Sequence, residues 1–180
     1  MDLATGIKDR RSIRKFQDRP VDRNLIRDIV DLAAYAPSWK NTQTTRYLVV
    51  EDREKIQAIA EKGTMGFAFN AQTLSGAPAL VILTTVKGRC GYERDGSFST
   101  PKGDRWEMFD AGIAAQTFCL AAHEKGLGTV IMGIFDEEAI GKLLPIPEGQ
   151  QISALIPIGY PAVTPPKPPR KTSEELVYFL

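Results

Sequence analysis

The stretch Asp104-Arg105-Trp106-Glu107-Met108-Phe109-Asp110-Ala111-Gly112-Ile113-Ala114-Ala115-Gln116-Thr117-Phe118-Cys119-Leu120-Ala121-Ala122-His123-Glu124-Lys125-Gly126 decides how the sequence is read. Asp104 with Glu107 has the pattern of a capping box, and Gly126 is the residue type that ends a helix in a left-handed turn. Between them, Ala111–Ala115 and Phe118–Ala122 are apolar or small on most faces. A helix like that sits in the middle of a fold, and its small residues let neighbours approach closely. The expectation is a central helix over 104–125.

Working outward, Ala79-Leu80-Val81-Ile82-Leu83, bounded by Pro78, reads as a buried strand, and Tyr47-Leu48-Val49-Val50 as a shorter one. Asp22 is the N-cap of a helix in which Leu25, Ile29, Leu32 and Ala36 recur until Pro37 stops the pattern. Further helices are expected over 53–62 and 67–74. Downstream come a strand over 129–132, a short helix capped by Asp136 and running to Leu144, and a last strand over 152–158. Residues 87–103 are turn-rich and read as a long surface excursion, the kind of loop that serves as a lid or a binding loop. Residues 161–170 are polyproline-like. Ten such residues reach roughly 30 Å. They lead to Leu176-Val177-Tyr178-Phe179-Leu180, which is too apolar to lie free in water. The arm crosses its own domain or clasps a partner.

Composition narrows the function classes. The chain has 180 residues, enough for one domain or one protomer of an intimate oligomer. Lys and Arg number 23 against 22 Asp and Glu, a balance that argues against bulk nucleic-acid affinity. No apolar run approaches the length of a membrane span, and the N-terminus lacks the pattern of a secretory signal. Cys90 and Cys119 form no CxxC pair, so a reducing cytoplasm is the expected setting. His123 is the only histidine, which removes multi-histidine metal centres and HExxH sites. No metal site is expected.

Four constellations could carry chemistry, and each has a plainer alternative. Arg10 and Arg14 share a side of Arg10-Arg11-Ser12-Ile13-Arg14, joined by Ser12 if the segment is extended; this suits a phosphate, or is a solvated basic face. Pro37-Ser38-Trp39-Lys40-Asn41-Thr42-Gln43 carries amides and hydroxyls beside an indole; it can bond the edge of a planar heterocycle, or is a helix-to-strand connection with Trp39 as a plug. Gly126-Leu127-Gly128 ends a helix and precedes a strand, the reverse of the dinucleotide-binding order; Gly133 can let backbone approach a ligand. Lys167-Pro168-Pro169-Arg170-Lys171 can close over a phosphate or be a solvated tail. His123, inside the central helix, is read as structural, and the cysteines as inert.

In this order the pieces resemble the FMN-dependent nitroreductase family. Arg10-Arg11-Ser12-Ile13-Arg14-Lys15-Phe16 is similar to its opening motif, and Ala36–Gln43 leading into Tyr47–Val50 to its second. Asn70 ahead of Ala77-Pro78, the helix around Ala114–Gly126 with Leu127-Gly128-Thr129, and Pro157–Pro161 with Pro169-Arg170-Lys171 complete the pattern over nearly the whole chain.

The resemblance implies an α+β fold: a nitroreductase-like central mixed β-sheet surrounded by helices, with a C-terminal arm (161–180) extending from the 1–160 domain to the partner subunit. It implies a cytoplasmic homodimer with FMN at the interface, and no nucleic-acid or membrane partner. It further implies NAD(P)H as reductant and a nitroaromatic, quinone or related small-molecule acceptor, used by ping-pong chemistry. The flavin carries that chemistry, so no catalytic side chain is required. Carried over by position, Arg10 and Ser12 would hold the phosphate and ribityl chain, with Arg11 also in the cofactor site, and Arg14 would sit near the ring's pyrimidine edge. Pro37, Ser38 and Trp39 would pack from the other subunit, with Asn41 and Gln43 nearby. Asn70 would bond the ring, Met132 and Gly133 would approach N5, and Arg170 with Lys171 would grip the phosphate. The chain departs from the family at Thr44-Thr45, where Pro-Trp is common, and at the bulky Trp39. Other roles on the same fold are a flavin reductase, a dehalogenase or a non-catalytic flavin binder.

Overall fold

Ala79–Val86 (β2) and Gln150–Gly159 (β4) are the middle strands of a four-stranded sheet, as near-continuous apolar runs should be. Thr45–Val50 (β1) flanks β2, and the two-residue Gly128–Thr129 (β3) flanks β4, giving the order β1-β2-β4-β3. All three ladders are antiparallel. The parallel component is one bridge, Ser12 to Thr129. The helices are Leu3–Asp9 (α1), Arg23–Ala33 (α2), Arg53–Lys62 (α3), Ala68–Ser75 (α4), Arg105–Glu124 (α5), Glu137–Leu143 (α6) and Ser173–Leu176 (α7). These come from a computed structural model that describes residues 2–180.

Each sheet face buries its own core. Val81, Leu83, Ala154, Ile156 and Ile158 pack with Ile29 of α2 and Phe118 of α5. Leu80, Ile82, Ile152 and Leu155 pack on the other face with Ile56 and Ile59 of α3 and Ile140 of α6. Ile152 and Leu155 share a face although their spacing is odd. Ser153 is the reason: the register steps from Leu83 opposite Ala154 to Thr84 opposite Ile152, so Ser153 bulges out and its hydroxyl meets that of Thr85 at 2.8 Å. The result is α2 and α5 on one side and α3, α4 and α6 on the other.

Most expected elements are present, and the differences have local causes. The strand expected over 129–132 pairs at Gly128 and Thr129, breaks, and returns as a single bridge from Met132 to Leu155. In this register Val130 would face Pro157, which has no N–H to donate. The expected capping box at the start of α5 does not form. Asp104 has helical backbone angles and caps nothing, while Glu107 turns inward and is 3% exposed. The 87–103 excursion is not wholly on the surface, since Cys90 and Gly91 are buried. Two helices were unannounced. Asp2 caps α1 through Thr5, and a Thr172–Glu175 capping box starts α7. Beyond α7, Val177, Tyr178, Phe179 and Leu180 are exposed on this chain.

Candidate functional site

The opening basic segment is extended, and one glycine fixes its seat. Ile13 donates its N–H to the Thr129 carbonyl at 2.9 Å. A Cβ on Gly128 would lie 2.5 Å from Ile13 Cγ1, so only glycine admits this approach. With Ile13 facing inward, alternation turns Ser12 and Arg14 the other way. Downstream of the same strand, Met132 exchanges both backbone hydrogen bonds with Leu155 and buries its side chain in the second core. Gly133, next along, is exposed, gives its N–H to no acceptor among the described residues, and has open space where a side chain would stand. Asn70 on α4 donates through Nδ2 to the Ile134 carbonyl at 3.1 Å. The structure thus ties Arg10, Ser12, Arg14, Gly133 and Asn70 to one run, 129–134.

Pro37, Ser38, Trp39, Asn41 and Gln43 form a second group. Lys40, Asn41 and Gln43 all take left-handed backbone angles, with φ of 46°, 54° and 49°. Ser38 Oγ accepts from the Gln43 N–H at 3.0 Å and closes the turn. A buried carboxylate anchors it: Asp110 Oδ2 accepts from the Trp39 N–H at 2.8 Å and from the Cys90 thiol at 2.9 Å. Burial and that acidic partner push the Cys90 thiol up, so it is an inert donor. One turn earlier, Glu107 accepts from the Gly88 N–H at 2.7 Å and from Gln151 Nε2 at 2.8 Å. Burial is the main force raising the Glu107 carboxyl above its ordinary value. The Trp39 and Trp106 rings lie 4.9 Å apart, and Lys40 pairs with Glu93 at 2.8 Å. Beside this group, Pro37, Ser38, Gln43 and Asp110 border an open cleft of about 550 Å³ against α2. Among the described residues, no hydrogen bond or ion pair joins this group to the Arg10 group.

The remaining expected residues divide. Arg11 Nη1 donates to the carbonyls of Lys8 and Arg10, both at 2.7 Å, and so closes the end of α1. Arg170 bonds carbonyls of its own segment, at Pro168 and Pro169, and Arg170 and Lys171 are exposed. The arm reaches the opening segment through other residues: Ala162 N–H to the Lys15 carbonyl, and Lys167 to Asp9 at 3.8 Å. Sequence reasoning missed Glu107 and Asp110. Their signal was acids at i and i+3 in an otherwise apolar helix, but it was spent on the capping-box reading of Glu107.

Beside Arg10 lies a smaller cleft of about 160 Å³, bordered by Asp9, Arg11, His123, Gly128, Thr129 and Thr164. Arg10 Nε and His123 Nε2 are both buried without a partner among the described residues. Burial and the Arg10 and Arg11 charges lower the His123 pKa, against the pull of Asp9. Among the described residues, no cluster of His, Cys, Asp or Glu is placed to hold a metal ion, and no helix is long and apolar enough to cross a membrane.

The model of the Nitroreductase family matches residues 7–160. The chain belongs to that family. A Methanothermobacter thermautotrophicus protein carrying the name NADH dehydrogenase/NAD(P)H nitroreductase is 36% identical over 92% of this chain and 80% of its own length. A nitroreductase family protein of Streptococcus pneumoniae superposes with a TM-score of 0.85 over 99% of this chain and all of its own; at 22% identity it speaks to the fold alone. A Desulfovibrio desulfuricans nitroreductase solved in complex with FMN is 25% identical, with a TM-score of 0.78 over 100% of this chain and 97% of its own. This chain therefore shares its fold with both solved nitroreductases.

Proposed function

We propose that this nitroreductase-family chain is an FMN-dependent oxidoreductase that takes electrons from NAD(P)H and passes them to nitroaromatic, quinone or related acceptors, working as a homodimer with FMN at the interface. The observation that carries the reading is the division of polar groups into two sets. Arg10, Ser12, Arg14, Asn70 and Gly133 offer donors along one run, whereas the 37–43 turn stands elsewhere and offers the complementary set to a second copy. The exposed Val177–Leu180 end gives such a copy an apolar grip. The names of the relatives and the FMN held by one of them support the cofactor.

The residues present fit that cofactor. Arg10 has a buried donor in want of an acceptor, as a phosphate supplies, and Gly133 has a free amide and open space where a side chain would stand. FMN, when bound, supplies the hydride-accepting and hydride-donating chemistry. Arg10 and Ser12 retain and orient the phosphate end. Arg14 places a cation at the pyrimidine edge, where negative charge develops on reduction. The Gly133 N–H and the Asn70 amide fix the ring edge. Trp39, held by Asp110 and packed at a tilt against Trp106, walls the partner's site and excludes water. Arg170 and Lys171, exposed on this chain, are free to reach the phosphate once the arm is docked. A cytoplasmic setting suits two free, buried cysteines.

The test is direct. Protein reconstituted with FMN should be yellow, bleach with NADH or NADPH, and regain colour on addition of a quinone or nitroarene. Initial velocities against both substrates should give parallel double-reciprocal lines. A protein that takes up no FMN, or holds FMN that neither nucleotide reduces, overturns the reading.

A further inference from the structure

We infer that the cleft between the 37–43 turn and the 87–103 excursion holds the adenosine 2′-phosphate of NADPH on Arg89 and Arg94, so that the chain prefers NADPH to NADH. The inference rests on the flavin reading only for the identity of the nucleotide.

The cleft measures about 440 Å³ and is bordered by Lys40 and Thr42 from the turn and by Arg89, Tyr92, Glu93 and Arg94 from the excursion. Its charge is lopsided. Glu93, the one acid among the described residues at the border, is tied to Lys40 at 2.8 Å. The side chains of Arg89 and Arg94 make no hydrogen bond or ion pair among the described residues, so their two positive charges stand unmatched. The larger cleft against α2 is the contrast, since its Arg27 and Arg46 are balanced by Asp31 and Asp110. A guanidinium fork matches the oxygens of a phosphate two at a time.

The excursion is built to hold these arginines in place. Tyr92 and Phe98 pair across a short hairpin, in which the Glu93 N–H donates to the Ser97 carbonyl at 2.8 Å and the Ser99 N–H to the Gly91 carbonyl at 2.9 Å. Arg94 lies in its turn, where Gly96 takes a φ of 84°. The hairpin closes on the start of α5 so tightly that a Cβ on Gly91 would strike the Gly103 carbonyl. Beneath it, the two buried acids of α5 fix both walls. Glu107 holds the Gly88 amide, beside Arg89. Asp110 holds the Cys90 thiol on the excursion and the Trp39 amide, beside Lys40, on the turn. Walls fixed before the ligand arrives lower the ordering cost of binding.

Size and lining select the ligand. The volume exceeds what a bare phosphate fills, and Tyr92 adds an aromatic wall, the kind of surface on which a base stacks. NADPH differs from NADH by one phosphate on the adenosine 2′-oxygen, and arginine is the residue that accommodates it. Lys40 directly follows Trp39, which the flavin reading sets at the flavin, so a dinucleotide can reach both.

Equilibrium binding separates this site from the flavin. Adenosine 2′,5′-bisphosphate carries the extra phosphate and adenosine 5′-monophosphate lacks it. By calorimetry, FMN-loaded protein should bind the bisphosphate about ten- to a hundredfold more tightly, and Arg89→Ala and Arg94→Ala should each remove most of that margin. In turnover, each should raise the KM for NADPH about ten- to a hundredfold, with kcat and the KM for NADH held within about twofold. Arg89→Lys, which keeps the charge without the fork, should recover part of the loss. Added salt should erode the wild-type preference, because exposed charges are screened.

Equal binding of the two adenosine nucleotides by the wild type overturns the site, while bleaching by NADH leaves the flavin reading standing. KM values for NADPH and NADH that rise together in the variants also overturn it, because the arginines would then act through the fold. Variants that spare NADPH but lose nitrobenzoate relative to nitrobenzyl alcohol assign the cleft to an acid group on the acceptor and overturn the nucleotide assignment. If the protein takes up no FMN yet keeps the bisphosphate margin on Arg89, the flavin reading falls and the cleft stands as a site for a 2′-phosphorylated adenosine.

Discussion

The two ends of α5 solve opposite problems. At its N-terminal end, Glu107 and Asp110 bury two carboxylates one turn apart, and each accepts two hydrogen bonds from groups that would otherwise be free. At its C-terminal end, His123 and Arg10 border one small cleft, and His123 Nε2 and Arg10 Nε are buried with no partner among the described residues. Buried polar groups are ordinarily paired, and the exceptions ask for a reason. The first end is complete once the chain folds. The second leaves two buried nitrogens unpaired within the described residues. Within one helix, one end is paired throughout and the other is not.

Substitutions can break this contrast, and they fall in a clear order. Asp110→Leu leaves the Trp39 N–H and the Cys90 thiol without their acceptor and should cost about 3 kcal/mol in urea unfolding of the apoprotein. Asp110→Asn, which keeps an oxygen, should cost clearly less; equal losses would show that Asp110 acts through charge rather than as an acceptor. Gly128→Ala drives a Cβ into Ile13 and should cost about 2 kcal/mol, as overpacked sites do. Because it unseats the Ser12 bridge, it should also loosen FMN more than Asp110→Asn does. Normal flavin retention in the Gly128→Ala protein would refute that seat.

The smaller effects sharpen the contrast. Arg14→Ala should lower the flavin midpoint potential by about 30 mV for each 1.4 kcal/mol of hydroquinone stabilisation lost. A dye-coupled reductive titration reads this, and a larger drop in Arg10→Ala would exchange the two roles. Smallest is the pH dependence at Glu107. Its folded pKa lies above the ordinary 4.5, so the folded state holds that proton more tightly than the unfolded chain. The Glu107 contribution to stability is then fully present below 4.5 and is lost as pH rises through the window up to the raised value, with no further change from this group above it. Glu107→Gln lacks this slope. Urea unfolding of both proteins across that window checks it, and a wild-type advantage that grows with pH would reverse the sign.

Legibility in the sequence followed the range of each interaction. Strands such as Ala79–Leu83 and helices such as 53–62 announce themselves through apolar runs and period, which are local. The β3 interruption was not visible, because it depends on Pro157 arriving opposite Val130, a matter of register. Glu107 reads as a cap from its neighbours, and only the fold brings Gly88 and Gln151 to it. The Arg10–Arg14 segment was legible as a basic site, and the structure adds what period could not: Ile13 pinned on Gly128, which decides where Ser12 faces. The nearness of Arg10 to His123 was not legible, because the two lie more than a hundred residues apart in the sequence and only the fold brings them together.

The left-handed run at Lys40, Asn41 and Gln43 has a thermodynamic consequence. Each such residue outside glycine costs about 1–2 kcal/mol relative to ordinary backbone. Folding meets that cost in advance, through Asp110 beneath the turn and Ser38 across it. A molecule docking on the turn gives up its own freedom but does not have to freeze the loop. Preorganisation of this kind leaves a calorimetric mark: the heat-capacity change of association should match the apolar area covered, without the excess that accompanies a segment ordering as it binds.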